Sequence, residues 1–209
     1  RHFLMRVLFI GNSHTYRNDM PQTFAQICRA EGAKTEIVLL AHGGKGWDFH
    51  LNEPEARFNL LYGEYDAVVL QHCAHPMGDL QEMAQAGAAL IRMAKEAGTR
   101  PILYMTWARE SDGEQAQPAM SQAYTNLARS EGCALAPVGN AWWILNHLAP
   151  EIPLFAPDGS HASPMGSRLA SSLLSVNACG SSQGESRQDV IFRQKSADLR
   201  SESVSRSPG

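Results

Sequence analysis

A serine that directly follows an apolar run is the first residue that could do covalent chemistry. Ser13 lies in Ile10-Gly11-Asn12-Ser13-His14-Thr15, immediately after Arg6-Val7-Leu8-Phe9-Ile10. The apolar run is typical of a buried strand, and a helical pattern begins after it. Gly11 and Asn12 permit a sharp turn, which would expose the Ser13 hydroxyl and its backbone N–H at one end of the strand. Such a turn can hold a nucleophile, cap a helix or bind phosphate.

Two further residues with useful chemistry lie far down the chain. Asp158 and His161 are three residues apart in the turn-rich stretch Phe155-Ala156-Pro157-Asp158-Gly159-Ser160-His161-Ala162-Ser163-Pro164. At this spacing, one loop can present both side chains. Asp158 would accept the Nδ1 proton of His161, which leaves Nε2 free to take a proton from Ser13. Taken alone, the stretch is an ordinary turn with a surface or capping histidine.

Strands and helices alternate along the part of the chain that must position these residues. Hydrophobic patterns predict strands over 6–10, 35–40, 66–71, 101–107 and 134–138. Helical patterns cover 20–32, 83–98, 118–132, 140–148 and 163–176, with a further helix around 54–62. This order predicts an α/β fold, a three-layer α/β/α sandwich around a mostly parallel five-stranded sheet. The loops 11–15, 41–46, 72–76 and 158–161 should then converge at the carboxyl edge of the sheet.

The chain is expected to form one domain over 1–178. Its 209 residues are 44% hydrophobic, which is enough for one core of ordinary size. Arg1 to Leu4 are expected to precede the folded part. From 179 to 209 the chain is dominated by small and polar residues, and we expect that tail to be disordered because it cannot bury enough apolar surface.

Composition argues against several other kinds of protein. A net charge of −3 without a basic stretch argues against a nucleic-acid partner. No apolar run approaches the roughly 20 residues of a membrane span, and no secretory signal is recognisable, so a cytoplasmic location is expected. The four cysteines lack a Cys-x-x-Cys pair and are expected to be free, mostly buried thiols. The histidines lack metal-ligand spacing, so no metal or cofactor is expected.

Together, these stretches resemble the SGNH or GDSL family of serine hydrolases. Gly11-Asn12-Ser13 stands where the family has Gly-Asp-Ser, and Asp158-Gly159-Ser160-His161 matches its final Asp-x-x-His block. The resemblance covers Met5 to Leu174. It implies a flavodoxin-like fold, with Ser13 as nucleophile, Asp158 as acid and His161 as base, and a reaction that needs no metal.

The middle of the chain departs from the family pattern. In the family, a glycine N–H after the second strand and an asparagine side chain after the third join the serine N–H in the oxyanion hole. Gly46 falls at the glycine position, with Gly43 and Gly44 as near alternatives. No asparagine follows the third strand, and either Gln71 or His75 could donate instead, since strand alternation points both the same way. Gln71 is preferred because an amide N–H donates in any protonation state.

The predicted function is hydrolysis of an ester, above all an acetyl ester of a carbohydrate or small molecule. His14, Gly44 and Trp47 are the predicted substrate contacts, and Trp47 would either stack on a sugar ring or pack in the core. A histidine base must be neutral, so activity is expected to fall on the acid side, where histidines ordinarily titrate. The missing asparagine motivates an alternative, a non-catalytic module that binds carbohydrates or esters. Asn18-Asp19 is expected to cap a helix.

Overall fold

The computed structural model describes residues 3–179, which form a five-stranded, entirely parallel sheet between two layers of helices. The strand order is β2-β1-β3-β4-β5, and Val7 of β1 pairs with Ile37 on one side and Ala67 on the other. The strands are β1 (Phe3–Gly11), β2 (Ala33–Ala41), β3 (Ala67–Leu70), β4 (Arg100–Tyr104) and β5 (Ala134–Ala136). This arrangement confirms the predicted α/β sandwich and its flavodoxin-like strand order.

Eight α-helices connect and cover the strands in residues 3–179. They are α1 (Ser13–Tyr16), α2 (Met20–Ala30), α3 (Trp47–Asn52), α4 (Pro54–Tyr62), α5 (Leu80–Glu96), α6 (Gln117–Glu131), α7 (Val138–Leu148) and α8 (Pro164–Cys179). The predicted helix at 54–62 is confirmed, whereas the short α3 was not predicted. None of these helices combines the length and apolar character needed to cross a bilayer.

Both ends of the described chain differ from the expectation. Phe3 and Leu4 belong to β1, where they pair with Ala33 and Lys34. Helix α8 continues to Cys179, three residues beyond its predicted end, because the Arg100 guanidinium donates to carbonyl oxygens in its last turn. The Nη1 and Nη2 atoms lie 2.7 Å and 2.9 Å from the oxygens of Asn177 and Ala178. The tail predicted to be disordered otherwise lies outside the described residues.

Alternate side chains of β1 face the two helical layers. Val7 and Phe9 pack in the core under α2, α7 and α8, whereas Leu8 and Ile10 pack under α3, α4, α5 and α6. A strand that is buried on both faces has a continuous apolar run in its sequence, which is the pattern of residues 6–10. Because α2 and α3 cover opposite faces, the loops that leave β1 and β2 diverge and open a crevice at the carboxyl edge.

Helices α2 and α8 lie side by side in the first layer and are linked at both ends. Asn18 donates from Nδ2 to the oxygen of Ala162 at 2.9 Å and to the hydroxyl of Ser167 at 2.9 Å. Asn18 therefore does not cap a helix, and Asp19 occupies the N-cap position of α2 without a side-chain capping bond. A disulfide joins Cys28 to Cys179 at the other end, which corrects the expectation of four free thiols. Cys73 and Cys133 are free.

Candidate active site

The turn after β1 is held by the side chain of Asn12. Its Oδ1 atom accepts the backbone N–H of His14 at 2.9 Å, which caps α1, and its Nδ2 atom donates to the oxygen of Lys45 at 3.1 Å. Asn12 thus ties the turn to the glycine-rich loop after β2. Ser13 is the first residue of α1, so its N–H has no acceptor within the helix.

The buried side chain of Gln71 forms hydrogen bonds to the same turn. Its Oε1 atom accepts the Asn12 N–H at 3.0 Å and the Thr15 hydroxyl at 2.8 Å, and its Nε2 atom donates to the oxygen of His72. The side chain is completely buried. The prediction that Gln71 donates to an oxyanion is wrong, because its amide is engaged beneath the turn and does not reach the solvent side.

Ser13, His161 and Asp158 form a continuous hydrogen-bonded series. The Ser13 Oγ atom lies 2.7 Å from His161 Nε2, and His161 Nδ1 lies 2.6 Å from Asp158 Oδ2. A carboxylate can only accept, so the proton sits on Nδ1 and Nε2 accepts from the Ser13 hydroxyl. The bond from His161 holds the pKa of Asp158 well below its usual range. The carboxylate is therefore ionised at neutral pH and keeps His161 in the tautomer that can act as a base.

The loop that carries Asp158 is fixed by its own backbone. Asp158 Oδ1 accepts the N–H groups of Ser160 and His161, both at 2.9 Å, which closes a tight turn. Gly159 takes the left-handed conformation that this turn requires, with φ of 64°. The Arg17 guanidinium lies 3.6 Å from Asp158 Oδ2 and adds a weak, half-exposed ion pair.

A cavity of about 520 Å³ opens beside Ser13 and His161. Gly44, one of the predicted substrate contacts, forms part of its wall, and Met77 and Met83 supply apolar surface. Asp48 and Glu82 contribute exposed carboxylates to the same wall. The volume is in the range of small-molecule sites, about 300 to 1,000 Å³. The cavity therefore offers the candidate nucleophile to a ligand of modest size.

Trp47 and Gly46 do not lie in the cavity wall. Trp47 is 0% exposed and packs against His72 and Tyr124, with ring centroids 5.0 Å and 5.6 Å away. The prediction that Trp47 contacts substrate is therefore wrong, because the apolar ring fills the core under α3. Gly46 is buried at the start of α3, where an added Cβ would meet the His72 ring at 2.7 Å. Of the predicted glycines, Gly44 is the one beside the cavity.

His75 lies in the cavity wall, with both ring nitrogens occupied. Its Nε2 atom is 2.9 Å from the oxygen of Trp107, and its Nδ1 atom is 2.8 Å from the Ser160 hydroxyl. A carbonyl only accepts, so Nε2 carries the proton and Nδ1 accepts from Ser160. Burial lowers the pKa of His75, which keeps the ring neutral. The prediction that His75 donates to an oxyanion is contradicted, because its single N–H is used by Trp107.

His14 is packed against the ring of His161. The two ring centroids are 4.7 Å apart in a stacked arrangement, and His14 is only 8% exposed although it touches the cavity. Burial, reinforced by repulsion from His75 and His161, lowers the pKa of His14 to about 3. The neutral ring thus supports one face of His161. Within residues 3–179, no three His, Cys, Asp or Glu side chains are arranged to hold a metal ion.

The fold and the hydrogen-bonded series define the class of protein: a flavodoxin-like α/β domain with the arrangement that serine hydrolases use. No family model and no curated protein matches the sequence. A solved structure from Slackia heliotrinireducens, assigned as an SGNH hydrolase, is 30% identical, with a TM-score of 0.72 over 83% of this chain and 98% of that one. The chain belongs to the SGNH hydrolase family.

Two more distant structures share the fold. A lipase/acylhydrolase from Enterococcus faecalis is 13% identical, with a TM-score of 0.68 over 87% of this chain and 98% of that one. A psychrotrophic esterase from Pseudoalteromonas is 14% identical, with a TM-score of 0.62 over 82% of this chain and 95% of that one.

Three residues that support the site were not predicted from the sequence. Asn12 joins two loops, Ser160 contacts His75, and Asn18 ties the region after Ser13 to the residues after His161. Asn12 and Ser160 lie inside the two recognised motifs, so the sequence indicated that both lie near the site. Their partners are 33 and 85 residues away in sequence, and only the fold reveals them.

Proposed function

We propose that this protein is a serine esterase that forms an acyl-enzyme on Ser13. The observation that carries the proposal is the pair of bonds from Ser13 Oγ to His161 Nε2 at 2.7 Å and from His161 Nδ1 to Asp158 at 2.6 Å. A hydroxyl is a poor nucleophile until an adjacent base accepts its proton. The family membership and the cavity beside Ser13 support the same chemistry.

In the acylation step, Ser13 Oγ attacks the carbonyl carbon of the ester as its proton moves to His161 Nε2. The tetrahedral intermediate collapses, and the imidazolium gives that proton to the departing alcohol. Water then attacks the acyl-enzyme with His161 as base, which releases the acid and restores Ser13. Ionised Asp158 stabilises the imidazolium in both steps because its carboxylate accepts the hydrogen bond from His161 Nδ1–H.

We propose that the backbone N–H groups of Ser13 and Gly44 bind the negatively charged oxygen of the tetrahedral intermediate. Ser13 begins α1, and Gly44 shares the cavity wall with it, whereas Gly46 lies behind that wall. Because Gln71 is completely buried outside the cavity wall and His75 donates its single N–H to Trp107, this oxyanion hole lacks the side-chain donor of the family pattern. A missing donor is worth on the order of 10² to 10³ in rate, so a modest kcat is expected.

The proposed substrate is a short-chain ester of a carbohydrate or another polar small molecule. The exposed residues Asp48, Asp79 and Glu82 line the cavity among its apolar residues. A long acyl chain would have to lie against these carboxylates, which is unfavourable. We therefore expect acetyl esters to be hydrolysed with a higher kcat/KM than octanoyl esters.

The test is hydrolysis of p-nitrophenyl acetate, p-nitrophenyl octanoate and an acetylated sugar by the wild type, Ser13→Ala and His161→Ala. Loss of about 10³-fold or more in kcat in both variants is expected. A fluorophosphonate should label the wild type and leave Ser13→Ala unlabelled. Equal rates in all three proteins, with no labelling, would refute the proposal.

The alternative candidate is a non-catalytic module that binds carbohydrates or esters on the same fold. The observation that favours it is the engagement of both Gln71 and His75, which leaves the oxyanion hole without its side-chain donor. A binding module would take up an acetylated sugar without hydrolysing it, and titration calorimetry with product analysis would reveal that outcome.

A further inference from the structure

We propose that His75 and Ser160 act as a pair of positioning residues that hold the loop bearing Asp158 and His161 against Ser13. The inference rests on the proposed function. In it His75, at the place of the family asparagine, fixes the acid–base loop and does not contact the reacting oxygen.

Ser160 is held through both its side chain and its backbone. Its hydroxyl donates to His75 Nδ1 at 2.8 Å, and its carbonyl oxygen accepts the Trp107 indole N–H at 2.9 Å. The Nε2–H of His75 in turn donates to the carbonyl oxygen of Trp107 at 2.9 Å. The three residues thus form a closed ring of hydrogen bonds.

This ring is anchored in the core. Trp107 is fully buried and stacks on Trp142, with ring centroids 3.9 Å apart. His75 follows β3 and Trp107 follows β4, so the ring ties two loops of the sheet edge to the acid–base loop. A rigid core element is thereby linked to an exposed turn, which the Glu110 N–H also holds by donating to the Gly159 carbonyl oxygen at 2.8 Å.

The position of Ser160 explains how this ring of hydrogen bonds would affect the reaction rate. Ser160 lies between Asp158 and His161, and its N–H is one of the two that bind Asp158 Oδ1. Movement of Ser160 would therefore shift the carboxylate and the imidazole together. A displacement of about 1 Å can lower a rate about 10²-fold, because the base must lie within hydrogen-bond reach of the hydroxyl.

The experiment compares His75→Ala, Ser160→Ala, the double variant and His75→Gln in p-nitrophenyl acetate hydrolysis. We expect each alanine variant to lower kcat about 10- to 100-fold, and Ser160→Ala, which removes only a hydroxyl from the cavity wall, to leave KM little changed. The double variant should fall within about twofold of the worse single variant, because both changes break the same bond. Glutamine offers one donor and one acceptor at similar spacing and should restore most of kcat. His147→Ala, at an exposed histidine, is the matched control.

Several results would overturn the inference. If His75→Ala lowers kcat while Ser160→Ala does not, His75 acts without Ser160. If the two losses multiply in the double variant, the residues act independently. If His75→Ala fails to fold, Ser160→Ala provides the test. A wild-type kcat in Ser160→Ala refutes the pairing. A lower kcat in Ser160→Ala, together with a nearly wild-type kcat in His75→Gln, supports it. Failure of the proposed function looks different, since the wild type would then be no faster than Ser13→Ala.

Discussion

At the scale of single residues, Asp158 uses its two oxygens for different contacts. Oδ1 accepts two backbone N–H groups, while Oδ2 accepts the proton of His161 Nδ1. In Asp158→Asn, the remaining oxygen preserves the turn, but an NH₂ group faces His161 and favours the wrong tautomer. We expect kcat/KM to fall on the order of 10³-fold with the melting temperature nearly unchanged.

Steady-state kinetics and thermal unfolding of Asp158→Asn check this expectation. Arg17→Gln is the control, because its half-exposed ion pair with Asp158 is weak and should change kcat/KM less than about threefold. An Asp158→Asn enzyme with more than a tenth of wild-type activity would argue against the proposed role of the carboxylate.

Gln71 is expected to affect stability more than chemistry. Gln71→Leu removes the acceptor of the Asn12 N–H and the Thr15 hydroxyl, both at buried positions. Unsatisfied buried groups destabilise by about 1 to 3 kcal/mol each, so we expect the free energy of unfolding to fall by about 2 to 4 kcal/mol. Urea denaturation measures this fall, with the exposed Gln122→Leu as control. A drop in kcat without any loss of stability would restore Gln71 as an oxyanion donor.

The sequence predicted which residues lie near one another better than it predicted how their side chains are oriented. Ser13, Asp158 and His161 meet because each follows a strand or precedes a helix at one sheet edge, and that placement can be predicted from hydrophobic patterns. Gln71 and His75 were aligned by strand alternation, yet β3 ends at Leu70 and the alternation does not extend past it. Trp47 was predicted to contact substrate because it follows the glycine-rich loop, and the short helix that buries it was not predicted.

At the scale of elements, α3 and α5 meet at a glycine. An added Cβ at Gly87 would lie 2.7 Å from the Trp47 ring and 2.7 Å from Leu127 Cδ2. Helix propensity favours alanine over glycine by about 1 kcal/mol, whereas overpacking a core costs about 1 to 3 kcal/mol. We expect the clash to dominate and Gly87→Ala to lower the free energy of unfolding by about 1 kcal/mol.

Chemical denaturation of Gly87→Ala beside Gln85→Ala measures the effect. Gln85 is exposed on the same helix, so its alanine variant reports helix propensity without packing. A Gly87→Ala protein more stable than the wild type would show that Trp47 moves aside freely.

Element boundaries were predicted less well than element types. The periodic helices α5 and α6 were found with ends shifted by one to three residues, because caps such as Asp79 act upstream of the apolar stripe. The end of α8 depends on Arg100, which is 77 residues from Asn177 and belongs to a strand. No local pattern contains that information.

At the scale of the whole molecule, buried histidines should make stability sensitive to acid. Burial lowers the pKa of His14, His50, His72 and His75 below the ordinary value of 6.5. The unfolded chain therefore takes up protons first as the pH falls below about 6.5, and the folded state loses stability there. For His14 the loss continues down to its folded pKa of about 3, at about 1.4 kcal/mol per pH unit.

Urea unfolding between pH 7.5 and 4.5 measures this dependence. His14→Gln should be less sensitive to acid than the wild type, whereas His147→Gln, at an exposed position, should follow the wild type. Asp158 also has a lowered pKa, but its contribution is lost only at more acidic pH, below the ordinary range of carboxyl groups. A free energy of unfolding that stays constant from pH 6.5 to 4.5 would contradict the prediction.

The pairing of α2 with α8 bears on when the enzyme becomes competent. Ser13 and His161 are 148 residues apart in sequence, and each lies shortly before one of these neighbouring helices. The nucleophile and its base therefore meet only when α8 packs beside α2. Turnover of an ester would accordingly report that these two helices have paired.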